Sequence, residues 1–387
     1  MLLGRKKMKK LLTIAVIGMI AASSVAISHS FTKIGQSADQ LNASQEAIQH
    51  GTINEVKLNS EKIYLAVNGE EKLNCDVKTS GDIEVTLRWE SEDEGVATVD
   101  GNGLVHGVSA GFTRINAYAN EIKVTTKVQV TNLIIPVPEE PDMEKELITG
   151  KTYTKEENDL LDEILEDRVE KAGYGTRAGV VAAARFLALE FPYRIPYFSE
   201  NGRLNNYNTT YHVDAEGRYY HKGLYLHSSR YENIGETMYG PGTWGTYIYS
   251  MPSEGQRPNG LDCSGFISWV ILNGGFDPGD MGAGVATPHP DMTDLGEKKV
   301  LKTSIENDEV RAGDLLSGQG SDGGHIALVA GVTEDKYYVA EALWYGTGHF
   351  GAIINPYERN ELTNNFYWHV DMKDYYKEDG NYTEYWK

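Results

Sequence analysis

Of the 387 residues two are cysteines, and one of them, Cys263, stands in "LDCSGFISWV", between Asp262 and Ser264 at the mouth of an apolar helical run. An ordinary thiol is only a few per cent thiolate at neutral pH, and the thiolate is the nucleophile. The unpaired N–H groups and the dipole of a helix N-terminus favour that anion. Gly260 and Gly265 on either side allow close backbone approach. The pattern suits a positioned nucleophile, and it suits a small buried hydrophobe as well, so a base must decide. His325 opens the apolar strand "HIALVAGV" after the turn Ala312-Gly313-Asp314 and a glycine-rich hairpin, which sets its imidazole at a sheet edge. Alone, such a histidine is an ordinary polar strand end. The next strand, "YYVAEAL", carries Glu341 in an apolar run, where a carboxylate needs a partner. A bond from Glu341 to the far nitrogen of His325 would orient the ring and stabilise the imidazolium. Nucleophile, base and orienter then follow in the order Cys263, His325, Glu341. Asp262 reads as a cap or brace of the Cys263 helix, and Asp314 as a turn or strand cap.

The elements that must position these residues are legible in outline. Thr154 and Glu157 stand at capping-box spacing before a helix that ends at Gly173. Residues 176–191 are Ala-rich and amphipathic and stop before Pro192. Residues 198–259 are irregular and aromatic, with nine tyrosines and Trp244 between 201 and 250 and a hairpin expected at 215–217. A helix over 263–273, a loop region, and strands near 314–317, 325–332, 337–343, 351–355 and 367–373 complete the order. Helices followed by an antiparallel sheet define an α+β class.

Ahead of this region lies a different pattern. Residues 57–132 give short alternating strands broken by Gly, Asn and Asp turns, an all-β sandwich signature. Cys75 falls in one of them and reads as a buried structural thiol. "IIPVPEEPDMEKE" reads as an extended, semi-rigid linker over 133–146. Residues 29–56 are a polar spacer. The basic "RKKMKK" followed by an 18-residue apolar run to Ser28 is expected to be a signal peptide or, if uncleaved, a membrane anchor, over 1–28. A formal charge of −20 repels nucleic acid and anionic lipid, so no nucleic-acid partner is expected. No His-x-x-x-His or paired-Cys spacing points to a metal and no GxSxG elbow points to a serine hydrolase, so neither metal nor cofactor is expected.

Two resemblances sharpen this reading. "WESEDEGVATVDGNGLVHGVSAGFTRINAYA" resembles the group 2 bacterial Ig-like domain through Trp89, the turn Gly101-Asn102-Gly103, Gly107 and Gly111; this implies an extracellular spacer or adhesion module. "LDCSGFISWV", "RAGDLLSG", "GGHIALVAG" and "YYVAEA" together resemble the NlpC-type papain-like cysteine peptidases of bacterial cell walls, over about 175–371. The resemblance implies a papain-like fold in which Cys263 attacks a peptide carbonyl, His325 shuttles the proton and an acyl thioester is hydrolysed. The implied partners are the bacterial cell wall and peptidoglycan stem peptides, cut between D-glutamate and a diamino acid, by a secreted or cell-surface protein. The family's third residue is commonly histidine, where this chain has Glu341; related CHAP-type amidases use Glu or Asn. Its Pro-Tyr segment, here Pro196-Tyr197, usually lies close before the cysteine, whereas some 60 residues intervene. Tyr197, Asp262, Ser264 and Trp244 are the substrate-binding candidates. Two other functions fit the same residues: a CHAP-like amidase cutting the sugar–peptide junction or a cross-bridge, and a non-catalytic wall-binding adhesin.

Overall fold

The computed structural model describes residues 51–149, 153–197, 247–251, 255–258, 260–279, 281, 291–318, 324–343 and 351–381. The expected signal segment, most of the spacer, the hairpin at 215–217 and Trp244 lie outside the described residues. Among the described residues no helix is long and apolar enough to cross a membrane.

Nine strands make the N-terminal sandwich: β1 (Thr52–Leu58), β2 (Lys62–Ala66), β3 (Glu70–Lys72), β4 (Cys75–Ser80), β5 (Leu87–Ser91), β6 (Ala97–Val99), β7 (Leu104–Gly107), β8 (Gly111–Ala119) and β9 (Ile122–Thr131). A sheet of order β2-β9-β8-β5 faces one of order β3-β7-β6, while β1 and β4 pair separately. β2 and β9 run parallel, and the other pairs are antiparallel. Residues two apart on a strand share a face, and the inward set, including Ile63, Leu65, Val105, Ile115, Val128 and Val130, forms the core. Gly103 has φ +86°, and a Cβ there would lie 2.7 Å from the Trp89 ring, so the turn needs glycine. β1 begins at Thr52, inside the stretch read as spacer. Cys75, expected to be buried, is half-buried at the start of β4, opposite Leu58.

The linker is packed rather than extended. β2 alternates into two cores: Ile63 and Leu65 point into the sandwich, while Tyr64 and Ala66 join Ile134 in the core of the C-terminal region. Ile135 N donates to Glu190 O at 2.9 Å, and Leu147 bridges Arg194. The buried Lys145 amine donates to the carbonyls of Ala188, Leu189 and Phe191 at 2.7, 3.1 and 2.8 Å. Burial pushes that amine down to about 8 against the opposing charges of Asp142 and Glu190. Tyr64 Oη and Lys62 Nζ both donate to Glu163, and Arg168 Nη2 donates to Tyr64 O.

The C-terminal region opens with α1 (Lys155–Ala172), whose Thr154–Glu157 capping box is complete. α2 (Arg177–Arg185) follows. The helix expected to run unbroken to 191 changes to a π-helical stretch at Phe186–Glu190. A hairpin of β10 (Tyr247–Met251) and β11 (Gly255–Pro258) leads to α3 (Cys263–Asn273). After Met292–Leu295, a turn of 3-10 helix, come β12 (Glu297–Val300), α4 (Leu301–Glu306), β13 (Leu315–Gly318), β14 (Ile326–Val332), β15 (Lys336–Leu343) and β16 (Gly351–Glu358). α5 (Leu362–Asn365), β17 (Phe366–Asp371) and α6 (Lys373–Tyr376) are the last elements among the described residues. β12 and α4 fall where the sequence reads as loop, because "EKKV" is polar and shows no alternation.

The six strands order as β12-β17-β13-β14-β15-β16, every pair antiparallel. One face carries Ile326, Leu328, Ala340 and Ala342 against Phe266, Ile267 and Val270 of α3. The other carries Leu316, Ala327, Val329 and Val339 against Leu301, Leu362 and Phe366. With helices before it and antiparallel strands throughout, the region has the α+β arrangement. A sheet buried on both faces leaves its strand ends as the places where polar side chains meet water.

Candidate active site

Cys263 is the first residue of α3. Its neighbour Asp262 is the N-cap, with Oδ1 accepting from Gly265 N at 2.7 Å and its carbonyl accepting from Phe266 N at 2.8 Å. Below this first turn "FISWVILN" is mostly apolar and almost wholly buried, Ser268 and Asn273 included, so the helix mouth is fixed from beneath. The thiol is 9% exposed, with Sγ 4.0 Å from Gly324 O, the residue before His325.

His325 reaches the same spot from the sheet. Gly318 N donates to His325 O at 2.8 Å, which extends the β13–β14 ladder by one pair and pins the histidine backbone. The ring stacks on Phe366, centroids 5.8 Å apart. Nε2 donates to Glu341 Oε2 at 2.7 Å, which leaves Nδ1 as the nitrogen able to take a proton from the thiol. Burial opposes charge on the ring, but the hydrogen bonds and charges of Cys263 and Glu341 outweigh it and push His325 up to about 10. The histidine side chain keeps 29% of its surface exposed, while Glu341 keeps 1%. The constellation is therefore closed behind and open in front.

Glu341 has two further partners that sequence reasoning missed. Asn355 Nδ2 and Tyr357 Oη donate to Oε1 at 2.7 and 2.8 Å. The available signal was "NPY": two polar residues of one face interrupting the apolar strand "GAIINPYE". Pro356 between them is tolerated because β16 is an edge strand.

The other substrate-binding candidates divide. The Pro196-Tyr197 segment does arrive at the cysteine despite the intervening insertion. Leu261 N donates to Pro196 O at 3.1 Å, and Ile195 bridges Ala352 on β16. A side chain on Gly260 would collide with Pro196 O, so this crossing needs glycine. Asp262 and Ser264 are buried at 8% and 4%, and Ser264 Oγ turns back to Asp262 Oδ1 at 3.3 Å. Their place is inside the helix mouth, where Asp262 caps α3.

A second charged cluster lies in the same sheet. Asp314 accepts from Arg177 Nη1 at 2.6 Å, His369 Nε2 at 3.0 Å, Arg311 N at 2.9 Å and Met372 N at 3.1 Å. His369 Nδ1 meets Ser304 Oγ at 2.9 Å. Burial acts to raise the Asp314 carboxyl, but the His369 bond and the Arg177 charge hold it below the usual carboxylate range. Among the described residues no group of three His, Cys, Asp or Glu side chains could hold a metal ion.

Residues 53–131 match the family model of the bacterial Ig-like domain (group 2), so the N-terminal sandwich is a domain of that kind. No curated protein matches the chain. Among solved structures, domains 4 and 5 of the S-layer protein SbsC share 18% identity over 21% of this chain, at a TM-score of 0.20. This chain spans 53% of that structure, about half its length. An intimin mutant of EHEC O157:H7 shares 17% identity over 29% of this chain and 68% of its own, at a TM-score of 0.19. A putative alpha-galactosidase from Bacteroides fragilis shares 13% identity over 38% of this chain and 30% of its own, at a TM-score of 0.15.

Proposed function

We propose that the C-terminal region is a cysteine hydrolase acting on peptide bonds of the bacterial cell wall, presented outside the cell with the Ig-like domain. The observation that carries this is the meeting of Cys263, at a capped helix mouth, with the half-open imidazole of His325 bonded to a buried carboxylate at 2.7 Å. In the proposed reaction the Cys263 thiolate, its proton already held on His325, adds through Sγ to the scissile carbonyl carbon. The Cys263 N–H, first in the helix, and the neighbouring Tyr197 segment are the candidates to receive the oxyanion. Collapse of the intermediate breaks the C–N bond, and His325 gives its proton to the leaving amine. Water, deprotonated by His325, then adds to the thioester, releasing the carboxylate and the thiol. The stem-peptide bond between D-glutamate and a diamino acid is the proposed target; the resemblance to NlpC-type peptidases supports it. Throughout, the imidazolium is balanced by Glu341, which orients the ring without touching substrate.

The Ig-like domain supports a second reading, a surface adhesin whose C-terminal region binds wall fragments without cutting them. Digestion of purified peptidoglycan by the full chain, with Cys263→Ala as control, separates the readings. New amino termini on the diamino acid, absent from the control, establish the endopeptidase. Free L-alanine termini move the assignment to an amidase. Binding of walls without cleavage of any of them leaves the adhesin.

A further inference from the structure

We propose that Asn355 and Tyr357 are positioning residues of the Cys263 site, acting through Glu341 to hold His325 in line with the thiol. This rests on the hydrolase reading above. In the β15–β16 register Glu341 lies opposite Ile353, so Asn355 and Tyr357, two and four residues on, share its face of the sheet. Both donate to Oε1, at 2.7 and 2.8 Å. Two donors on one oxygen stop the carboxylate turning about its terminal bond and keep Oε2 aimed at Nε2 of His325, 2.7 Å away. A lone carboxylate–imidazole pair lacks that restraint.

Among the described residues these two are the donors that fix the second carboxylate oxygen. Around its ring His325 has Cys263 from α3, Glu341 from β15 and the uncharged Phe366 from β17. Phe366 also meets Tyr357 edge-on, centroids 5.9 Å apart, so the tyrosine ring is wedged against the same aromatic wall that backs the histidine. Burial first, then the Glu341 charge and hydrogen bond, push the Tyr357 hydroxyl well above its ordinary value, so it donates throughout the working pH range.

The test is a titration of the full chain labelled at histidine, with His325 assigned by loss of its signal in His325→Gln and His369 as internal reference. In Tyr357→Phe the His325 midpoint should fall by about one pH unit, and further in Asn355→Leu with Tyr357→Phe, because a loosened carboxylate holds the imidazolium less well. Wall cleavage should slow about tenfold in kcat in Tyr357→Phe with KM little changed, since a misaligned ring hands the proton to the leaving amine less well. Unchanged His325 titration and kcat in a folded Tyr357→Phe chain would overturn the proposal while leaving the hydrolase intact. If the double variant does not fold, Tyr357→Phe, which deletes one oxygen atom, decides alone. No cleavage by the unaltered chain overturns the hydrolase reading and this proposal with it.

Discussion

His325 and His369 sit in one antiparallel sheet, and each gives Nε2 to a buried carboxylate on or beside the neighbouring strand, at 2.7 and 3.0 Å. Each also has a potential nucleophile beside the ring, Cys263 in one case and Ser304 in the other. Ser304, His369 and Asp314 are joined by hydrogen bonds of 2.9 and 3.0 Å. This set is sealed: Ser304, His369 and Asp314 are 1%, 0% and 0% exposed. Arg177, itself 1% exposed, adds a second counter-charge, and two backbone N–H groups complete the Asp314 shell. The His325 set keeps a side chain 29% exposed. The difference teaches that a nucleophile–base–acid order marks chemistry only where a substrate carbonyl can reach it. A satisfied, inaccessible copy of the same order is a structural rivet joining α2, the β13 turn and β17.

The sharpest way to break this comparison is to remove each nucleophile or acid in turn. Cys263→Ala should lower wall cleavage by on the order of 10⁴-fold, the scale on which loss of a covalent nucleophile is felt. Its folding stability should fall only modestly, since among the described residues Sγ meets the partly exposed His325 ring and, at 4.0 Å, Gly324 O. Rates of product release and urea midpoints on the same preparation test both halves. Retained cleavage in this variant would sink the assignment of Cys263.

Asp314→Ala should do the reverse. It leaves Arg177 buried without its 2.6 Å partner and strips acceptors from His369, Arg311 N and Met372 N. Breaking a buried charged pair from one side costs about 3–5 kcal/mol. Glu341→Ala removes a carboxylate whose partners are two neutral donors and a histidine that water can reach, so about 1–3 kcal/mol is expected. Denaturant unfolding of the two variants ranks them directly. Equal losses would mean that the His325 cluster is as structural as the other.

Stability should also vary with pH through His325. Its folded value of about 10 lies above the ordinary 6.5, so the folded state binds this proton more tightly. The contribution is whole below pH 6.5 and is lost as pH rises through 10. Lys145, held at about 8 by burial, acts the opposite way between pH 8 and its ordinary 10.5. The two are separated by difference: the stability gap between the unaltered chain and His325→Asn should close as pH rises from 6.5 to 10. A constant gap would show that His325 gains nothing from Glu341 and the thiol.

The cysteine helix, the His325 strand and Glu341 were legible because each breaks a local pattern: a thiol before an apolar helix, an imidazole before an apolar strand, a carboxylate within one. Asn355 and Tyr357 were harder to see, since polar residues near the end of an edge strand need no partner to explain them. The Arg177–Asp314–His369 rivet was invisible for another reason. Its members are up to 192 positions apart, and a sequence shows a buried ion pair only as scattered charges. Asp314 read as a cap, and Arg311 N does bond its carboxylate, but that turn is one of four attachments. The linker misled in a different way. Pro and Glu signalled extension, while Tyr64 and Ala66, on the outward face of an Ig-like strand, supply a core that only the C-terminal region completes.

The smallest expected effect is the most discriminating. Ser304→Ala deletes the hydroxyl of a bonded Ser–His–Asp set, so if geometry alone conferred activity it would be as damaging as Cys263→Ala. The sealed position predicts otherwise. The hydroxyl meets His369 Nδ1 at 2.9 Å and the Val300 carbonyl at 3.4 Å, and losing one buried hydrogen bond costs about 1 kcal/mol. Wall cleavage should be unchanged, with a small fall in the urea midpoint. A matching drop in kcat with no loss of stability would place Ser304 in the reaction and reverse the assignment of the two histidines.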